Sequence, residues 1–291
     1  MMKTIIVPTD FSEPAENAAL YALNLAFYTN ANIYLCHALR PEGPDPSLGG
    51  ISQAVKNFPE MREICETKLK QLISILETES EHILAQSTGD YKPVIAGGCD
   101  FGDISAVVLA AAEGKDIPMI VMGRTGAGKL NRLAFGNSTL HMIKRTKLPL
   151  LIIPYTYKFG TLNKIAYSCE MTEDDKRTAQ SLADFAASFD AELLIAHIPN
   201  FVEMIDSREY HTRQKTFMQD LEGKVSFKSI ESDNIDSGLE NLKKEDLDML
   251  VMGHENRGFL DRFIFGSYAA RHAAKIGIPL LIIPKRFAPQ F

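Results

Sequence analysis

The sequence predicts an α/β fold built twice: two tandem open parallel five-stranded sheets, each with helices on both faces. Three observations predict it. Short apolar runs alternate with longer amphipathic stretches along the whole chain, the signature of strand–helix–strand units. The short runs are apolar on both faces, as strands covered from two sides must be. Finally, the chain repeats itself. VMGRTGAGKLNRLAFGNSTLHMIKRTKLPLLIIP (121–154) lies without a gap over VMGHENRGFLDRFIFGSYAARHAAKIGIPLLIIP (251–284), with 14 of 34 positions identical. The openings align as well, TIIVPTDFSEPAENA (4–18) over KIAYSCEMTEDDKRT (164–178) and NIYLCHA (32–38) over ELLIAHI (192–198). The offset falls from 160 at the openings to 130 at the ends, so the second copy is 30 residues shorter in its middle. Domains of 1–156 and 162–291 follow, joined through YTYKFGTLN (155–163).

In chain order, the apolar run Thr4–Val7, stopped by Pro8, is the first strand. Ser12 stands where it can cap a helix from Glu13 to Thr29. Ile33–His37 is the second strand, and the Pro/Gly-rich RPEGPDPSLGG (40–50) leads to a long helix over Phe58–Gln86. Lys92–Ala96 is the third strand, a helix covers 103–114, and Met119–Met122 is the fourth strand. A helix over 137–146 precedes the last strand, Leu150–Ile153. The second half repeats this order with a shorter middle.

Composition narrows the function. A chain of 291 residues has room for two α/β cores, and its 45% hydrophobic and 23% charged content is that of a globular protein. A net charge of −6 speaks against a nucleic-acid partner, which calls for a basic surplus. No apolar run approaches the roughly 18–20 residues of a membrane span. The opening MMKTIIVPTDF is too short and too early broken by Pro8 for a signal peptide, so a cytoplasmic location is expected. Cys36, Cys65, Cys99 and Cys169 show no C-x-x-C spacing and are expected to be reduced, mostly buried thiols.

Gly123, then Gly128-Lys129, has the G-x-x-x-x-G-K spacing of a P-loop, but Leu130 stands where that loop needs a hydroxyl for Mg²⁺. The second copy keeps Gly253 and Gly258 and has Phe259 in place of Lys129, so the lysine is not what the halves share. A different spacing covers more of the segment: Gly123, two residues, Gly126, nine residues, Gly136, then Asn137-Ser138-Thr139. Glycines after a strand let backbone N–H groups approach an anion, and the helix that Asn137 opens directs its dipole the same way.

That spacing, with the opening VPTDFSEPAENA, the strand end LCHA, GGCDFGDI (97–104) and the closing PLLIIP, resembles the ATP-binding branch of the universal stress protein family. The motifs occur in family order, twice in outline, across essentially the whole chain. The resemblance implies a Rossmann-like fold shared with the adenine nucleotide α-hydrolases and a cofactor of ATP, or AMP or ADP, with Mg²⁺ bridging the phosphates. It implies that Asp10, beside Pro8 and Thr9, binds the adenine and ribose region, and that Ala38 walls the base. Met122 and Gly123 would line its other side, and Gly98 would lie near the ribose. Gly126, Gly136, Asn137, Ser138 and Thr139 would take the phosphates, with charge from Arg124 and Lys129. Asn137 departs from the family's Ser or Thr.

The second half has Glu170 for Asp10, Asn256 for Gly126, Tyr268 for Ser138 and ESDNID (231–236) for the glycine pair, so weak or no nucleotide binding is expected there. His37 and His197, at equivalent strand ends, are expected to pack or hydrogen-bond, not to bind metal. No general base stands beside the expected phosphates. The expectation is therefore a nucleotide-binding regulatory protein of the stress response, an enzyme at most in the sense of slow ATPase activity. The alternatives are a nucleotidyl-transfer enzyme of the α-hydrolase superfamily and a nucleotide-free interaction module. Family members dimerise through the last strand, so Leu150–Ile153 and Leu280–Ile283 are expected to lie antiparallel about an internal pseudo-twofold. That leaves a different face for any homodimer of chains.

Overall fold

The computed structural model describes residues 2–40, 58–87, 89–124, 137–197, 207–230, 238, 241–242, 245–253, 277–284 and 291. Two compact units divide the chain, Met1–Gly123 and Arg124–Phe291.

The first unit contains β1 (Thr4–Pro8), α1 (Glu13–Thr29), β2 (Asn32–Leu39), α2 (Phe58–Gln86), β3 (Ile95–Phe101) and α3 (Ile104–Ala112), and β4 (Ile120–Arg124) ends at its boundary. Its strands are parallel and ordered β3-β2-β1-β4. β1 is buried along its whole length because strands flank it and helices cover it, which is why Thr4–Val7 reads as an unbroken apolar run. The chain steps from β1 to β2 to β3 in one direction and then returns past β1 to β4. Right-handed crossovers place α1 and α2 on one face for the outward steps and α3 on the other for the return. α1 packs on β1, β2 and α2 accordingly, while α3 packs on β1 and β2.

α1 starts and stops where its sequence says. Ser12 Oγ accepts the Ala15 N–H, Pro14 stands in the first turn, and Asn30 ends the helix in the left-handed region (φ 50°), donating its N–H to Ala26. Its buried face is mostly alanine, from Ala15 to Ala26, so the helix lies close on the sheet.

β3 corrects the sequence-based assignment. The strand was expected over Lys92–Ala96, yet it runs over Ile95–Phe101 and contains the glycine pair. Gly97 and Gly98 pair with Leu35 and Cys36. A Cβ on Gly97 would lie 3.1 Å from both the Cβ and the carbonyl oxygen of Leu35, so glycine marks a close approach of two strands here, not a strand end.

The second unit holds α4 (Asn137–Arg145), β5 (Leu150–Pro154), β6 (Lys164–Ser168), α5 (Glu173–Ala187), β7 (Glu192–His197), α6 (Ser207–Met218), β8 (Val225–Ser229), β9 (Met249–Gly253) and β10 (Leu280–Ile283). Its order is β5-β10-β9-β6-β7-β8, in which β8-β7-β6-β9 repeats the β3-β2-β1-β4 of the first unit. All pairs are parallel except β5 with β10, which is antiparallel. There Leu281 faces Leu151, Leu280 faces Ile152 and Ile282 faces Leu150. Leu281 is the repeat equivalent of Leu151, so the register is symmetric about that pair, as a twofold between equivalent strands requires. This pairing also explains why compactness divides the chain before β5, ahead of the repeat boundary near 156–162.

The expectation of four reduced thiols holds for Cys36 and Cys169, both buried and free, and fails for the other two. Cys65 of α2 and Cys99 of β3 form a disulfide, with Cα atoms 6.5 Å apart. Their sequence separation of 34 carries no motif; only the packing of α2 on β3 brings them together.

Candidate functional site

In an open parallel sheet, ligands bind outside the carboxyl ends of the strands where the strand order reverses. In the first unit that place lies between β1 and β4. The end of β1 brings Pro8, Thr9 and Asp10 to it, and the end of β4 brings Met122, Gly123 and Arg124. Ala38, half-buried near the end of β2, stands on the neighbouring strand.

The loop after β1 is tightly held. Thr9 is 4% exposed; its N–H donates to Cys36 (2.9 Å) and its hydroxyl accepts the Phe11 N–H (3.0 Å). Phe11 turns the chain in the left-handed region (φ 62°), a conformation costly for a bulky residue unless its surroundings enforce it. His37 supplies part of that enforcement. Its Nδ1 lies 2.7 Å from the Thr9 carbonyl oxygen, and its ring packs 4.7 Å from that of Phe11. A carbonyl can only accept, so Nδ1 carries the proton. Lys68 of α2 lies over the outer part of this stack, 5.6 Å from the Phe11 centroid.

The result is a loop that presents the exposed Asp10 carboxylate. Its Oδ1 accepts the N–H (3.1 Å) and the hydroxyl of Ser12. Oδ2 has no partner among the described residues and can accept a donor from a ligand.

Gly123 is required by packing. A Cβ there would stand 2.2 Å from the Pro14 carbonyl oxygen and 3.0 Å from the Ala15 nitrogen, so only glycine lets the end of β4 meet the first turn of α1. Met122 is buried beside it, and burial lowers the pKa of the half-buried Arg124 from its ordinary value. The Cys36 thiol, by contrast, is pushed up to about 12 by burial and stays protonated. Gly98 sits within β3, where a Cβ would meet the Tyr34 hydroxyl at 2.7 Å. In the second unit, Asn137, Ser138 and Thr139 form the first turn of α4, the first two exposed and Thr139 1% exposed. Gly126 and Gly136, with Lys129, Asn256 and Tyr268, lie outside the described residues.

The second unit reuses the same frame differently. Met171, the equivalent of Phe11, is also left-handed (φ 59°), the Cys169 N–H donates to Ala196, and His197 Nδ1 lies 2.8 Å from the Cys169 carbonyl oxygen. Here, however, the controlling carboxylate belongs to the helix. Asp175 accepts from the Tyr167 hydroxyl (2.7 Å), the Glu170 and Thr172 N–H groups and the Thr172 hydroxyl. The Tyr167 phenol takes its place beneath β9, 3.9 Å from where a Cβ of Gly253 would be, and desolvation raises its pKa well above the ordinary value. The first unit has Val7 and Ala15 at these two positions.

The loop-holding function of the histidines had a sequence signal, their recurrence at one offset and one strand end. Asp175 had one too, the T-x-x-D capping box. The left-handed Phe11 and Met171 had none, because neither residue type favours that conformation. Among the described residues, no group of three or more His, Cys, Asp and Glu is placed to hold a metal ion, and no helix is long and apolar enough to cross a membrane.

Comparison with known proteins agrees with this frame. The model of the universal stress protein family matches residues 1–154 and 163–284. A universal stress protein of Methanocaldococcus jannaschii is 26% identical over 162 residues, 53% of this chain and 95% of that protein. Among solved structures, a universal stress protein of Archaeoglobus fulgidus superimposes with a TM-score of 0.64 at 17% identity, over 97% of this chain and 98% of that one. A functionally unknown protein of Pseudomonas aeruginosa does so with a TM-score of 0.61 at 13% identity, over 99% and 92%.

Proposed function

The chain belongs to the universal stress protein family, and on that premise we propose that its first half binds one adenine nucleotide, ATP above others, in a regulatory role without a substrate of its own. One observation carries the reading: at the strand-order reversal, a rigidly held loop keeps one oxygen of the exposed Asp10 carboxylate open. An adenosine supplies the donors, an exocyclic amine and ribose hydroxyls, that such an acceptor takes. Arg124, at the end of β4, offers charge of the kind phosphates need. Mg²⁺ would come with the nucleotide, since no acidic pair in the described site is set to bind it alone.

The second half is proposed not to bind. Its equivalent carboxylate position is Glu170, and its frame is filled by the Tyr167–Asp175 pair. Catalysis is proposed to be slow at most: His37 spends its Nδ1–H on the Thr9 carbonyl, and no other described group beside Asp10 is placed as a general base. A supporting experiment is calorimetric titration with ATP and Mg²⁺, together with mass spectrometry of ligand released from the purified chain. One nucleotide per chain is the expected outcome, with Asp10→Ala weakening binding roughly tenfold or more through loss of a charged acceptor. Two equivalent sites, or wild-type affinity in that variant, would refute the assignment.

A further inference from the structure

The disulfide between Cys65 and Cys99 bonds α2 to the sheet behind the Asp10 loop. Cys99 is the strand partner of His37, and partners in parallel strands share a face. His37 holds the Thr9 carbonyl and stacks on Phe11, the residue that follows Asp10. Lys68, three residues beyond Cys65 and so on the same side of α2, lies over that Phe11 ring. The disulfide therefore fixes both ends of one contact chain: Cys99 beside the histidine, and the α2 turn that covers the phenylalanine. Phe58 against Phe101 (4.6 Å) adds an aromatic contact to this seam. The second unit has Ser229 where the first has Cys99, paired in the same way with His197, so its loop lacks such a bond.

We propose that Cys65 and Cys99 are a reversible redox modification site, acted on by a dithiol reductant, whose disulfide latches the loop that carries Asp10. Cys65 is 4% exposed and Cys99 is half-buried, so the attack falls on the Cys99 sulfur. A reductant thiolate bonds to Cys99 Sγ, and the Cys65 thiolate leaves and takes a proton. The second reductant thiol, deprotonated, then attacks the mixed disulfide. It closes the reductant's own disulfide and releases the Cys99 thiolate, which takes the second proton. In sum the dithiol gives up two electrons and two protons to the protein and is itself oxidised to a disulfide; the reverse exchange, with a disulfide oxidant, restores the bond. Once it opens, α2 is no longer tied to β3, and the Lys68–Phe11–His37 packing that enforces the left-handed turn loosens.

Hydrogen exchange on the full chain, oxidised and after treatment with dithiothreitol, tests the latch without reference to any nucleotide. The Thr9, Phe11 and Ser12 amides are expected to exchange about fivefold faster or more after reduction. The Cys169, Glu170 and Thr172 amides of the second unit serve as the internal control and should not change. Cys65→Ser and Cys99→Ser should each match the reduced protein under both conditions. Alkylation in denaturant should modify two cysteines in the oxidised chain, Cys36 and Cys169, and all four after reduction. Four alkylated cysteines before reduction, or loop exchange indifferent to it, would overturn the proposal. Only the affinity arm rests on the nucleotide reading: ATP should bind about fivefold or more weakly to the reduced chain. A loop that responds in a chain that binds ATP in neither state would uphold the latch and refute the nucleotide reading instead.

Discussion

At the scale of single residues, glycine does different work in the two halves. Gly123 and Gly253 are repeat equivalents with opposite surroundings: backbone of α1 at 2.2 Å in one, the Tyr167 hydroxyl at 3.9 Å in the other. Gly123→Ala should therefore cost about 1–3 kcal/mol, because helix backbone cannot move aside as a side chain can. Gly253→Ala should cost clearly less in the same urea titration. Equal losses would show that the close approach at Gly123 does not exist in solution. His197 makes a pH prediction. Burial lowers its pKa most, Arg213 lowers it further, and the Cys169 carbonyl, Glu170 and Asp175 oppose the shift. The unfolded histidine titrates near its ordinary value of about 6.5, the folded one below it. As pH falls through that value the unfolded state takes up the proton first, so stability is full above it and declines toward the folded pKa. His197→Asn should remove this part of the pH dependence of unfolding as pH falls below the ordinary histidine value of about 6.5. A variant with the same slope as wild type would show that another group is responsible.

Among elements, caps and strand pairs decide where things stop and what meets. Asp103 caps α3 in the ordinary way, accepting the Ser105 and Ala106 N–H groups. Asp175 both completes the capping box of α5 and ties down Tyr167 and the loop after β6. Asp103→Ala should cost about 1 kcal/mol, and Asp175→Ala more, because the latter also removes the acceptor of a buried phenol. If the two were equal, the Tyr167 bond would contribute nothing. The symmetric β5–β10 pairing centres on Leu151 and Leu281, both fully buried. Leu151→Asp places an unpaired charge there and should cost about 3 kcal/mol or more, seen as unfolding of the second unit. Unchanged stability would mean that β5 does not pair with β10 in solution.

For the whole molecule, the two copies keep one frame and diverge in what fills it. Both halves keep the left-handed turn, the histidine bond and the strand order. They differ in the carboxylate that bonds the loop: in the first half it is Asp10 of the loop itself, in the second Asp175 of the helix behind it. On the proposed reading one nucleotide per chain is expected, and conversion of the second half would need more than Glu170→Asp, because Tyr167 and Asp175 would still occupy the frame. The double variant Tyr167→Val/Asp175→Ala, which restores the first half's residues at both positions, should remain without measurable ATP binding while Glu170 stands. A second full-affinity site appearing in it on calorimetric titration would show that the filled frame alone blocks binding.

The sequence by itself determined the repeat, the strand–helix alternation, both ends of α1 and the extent of the closing strands, whose antiparallel pairing the family resemblance implied. These are local or self-similar properties: periodicity, capping residues and internal homology are all written in neighbouring letters. The position of β3 was misjudged because local propensity reads Gly97-Gly98 as a break, and only the closeness of β2 explains glycines inside a strand. The disulfide between Cys65 and Cys99, the steric demand at Gly123 and the filling of the second frame by Tyr167 were decided by tertiary structure alone. Each depends on the distance between segments far apart in the chain, and that distance is set by how helices settle on a sheet.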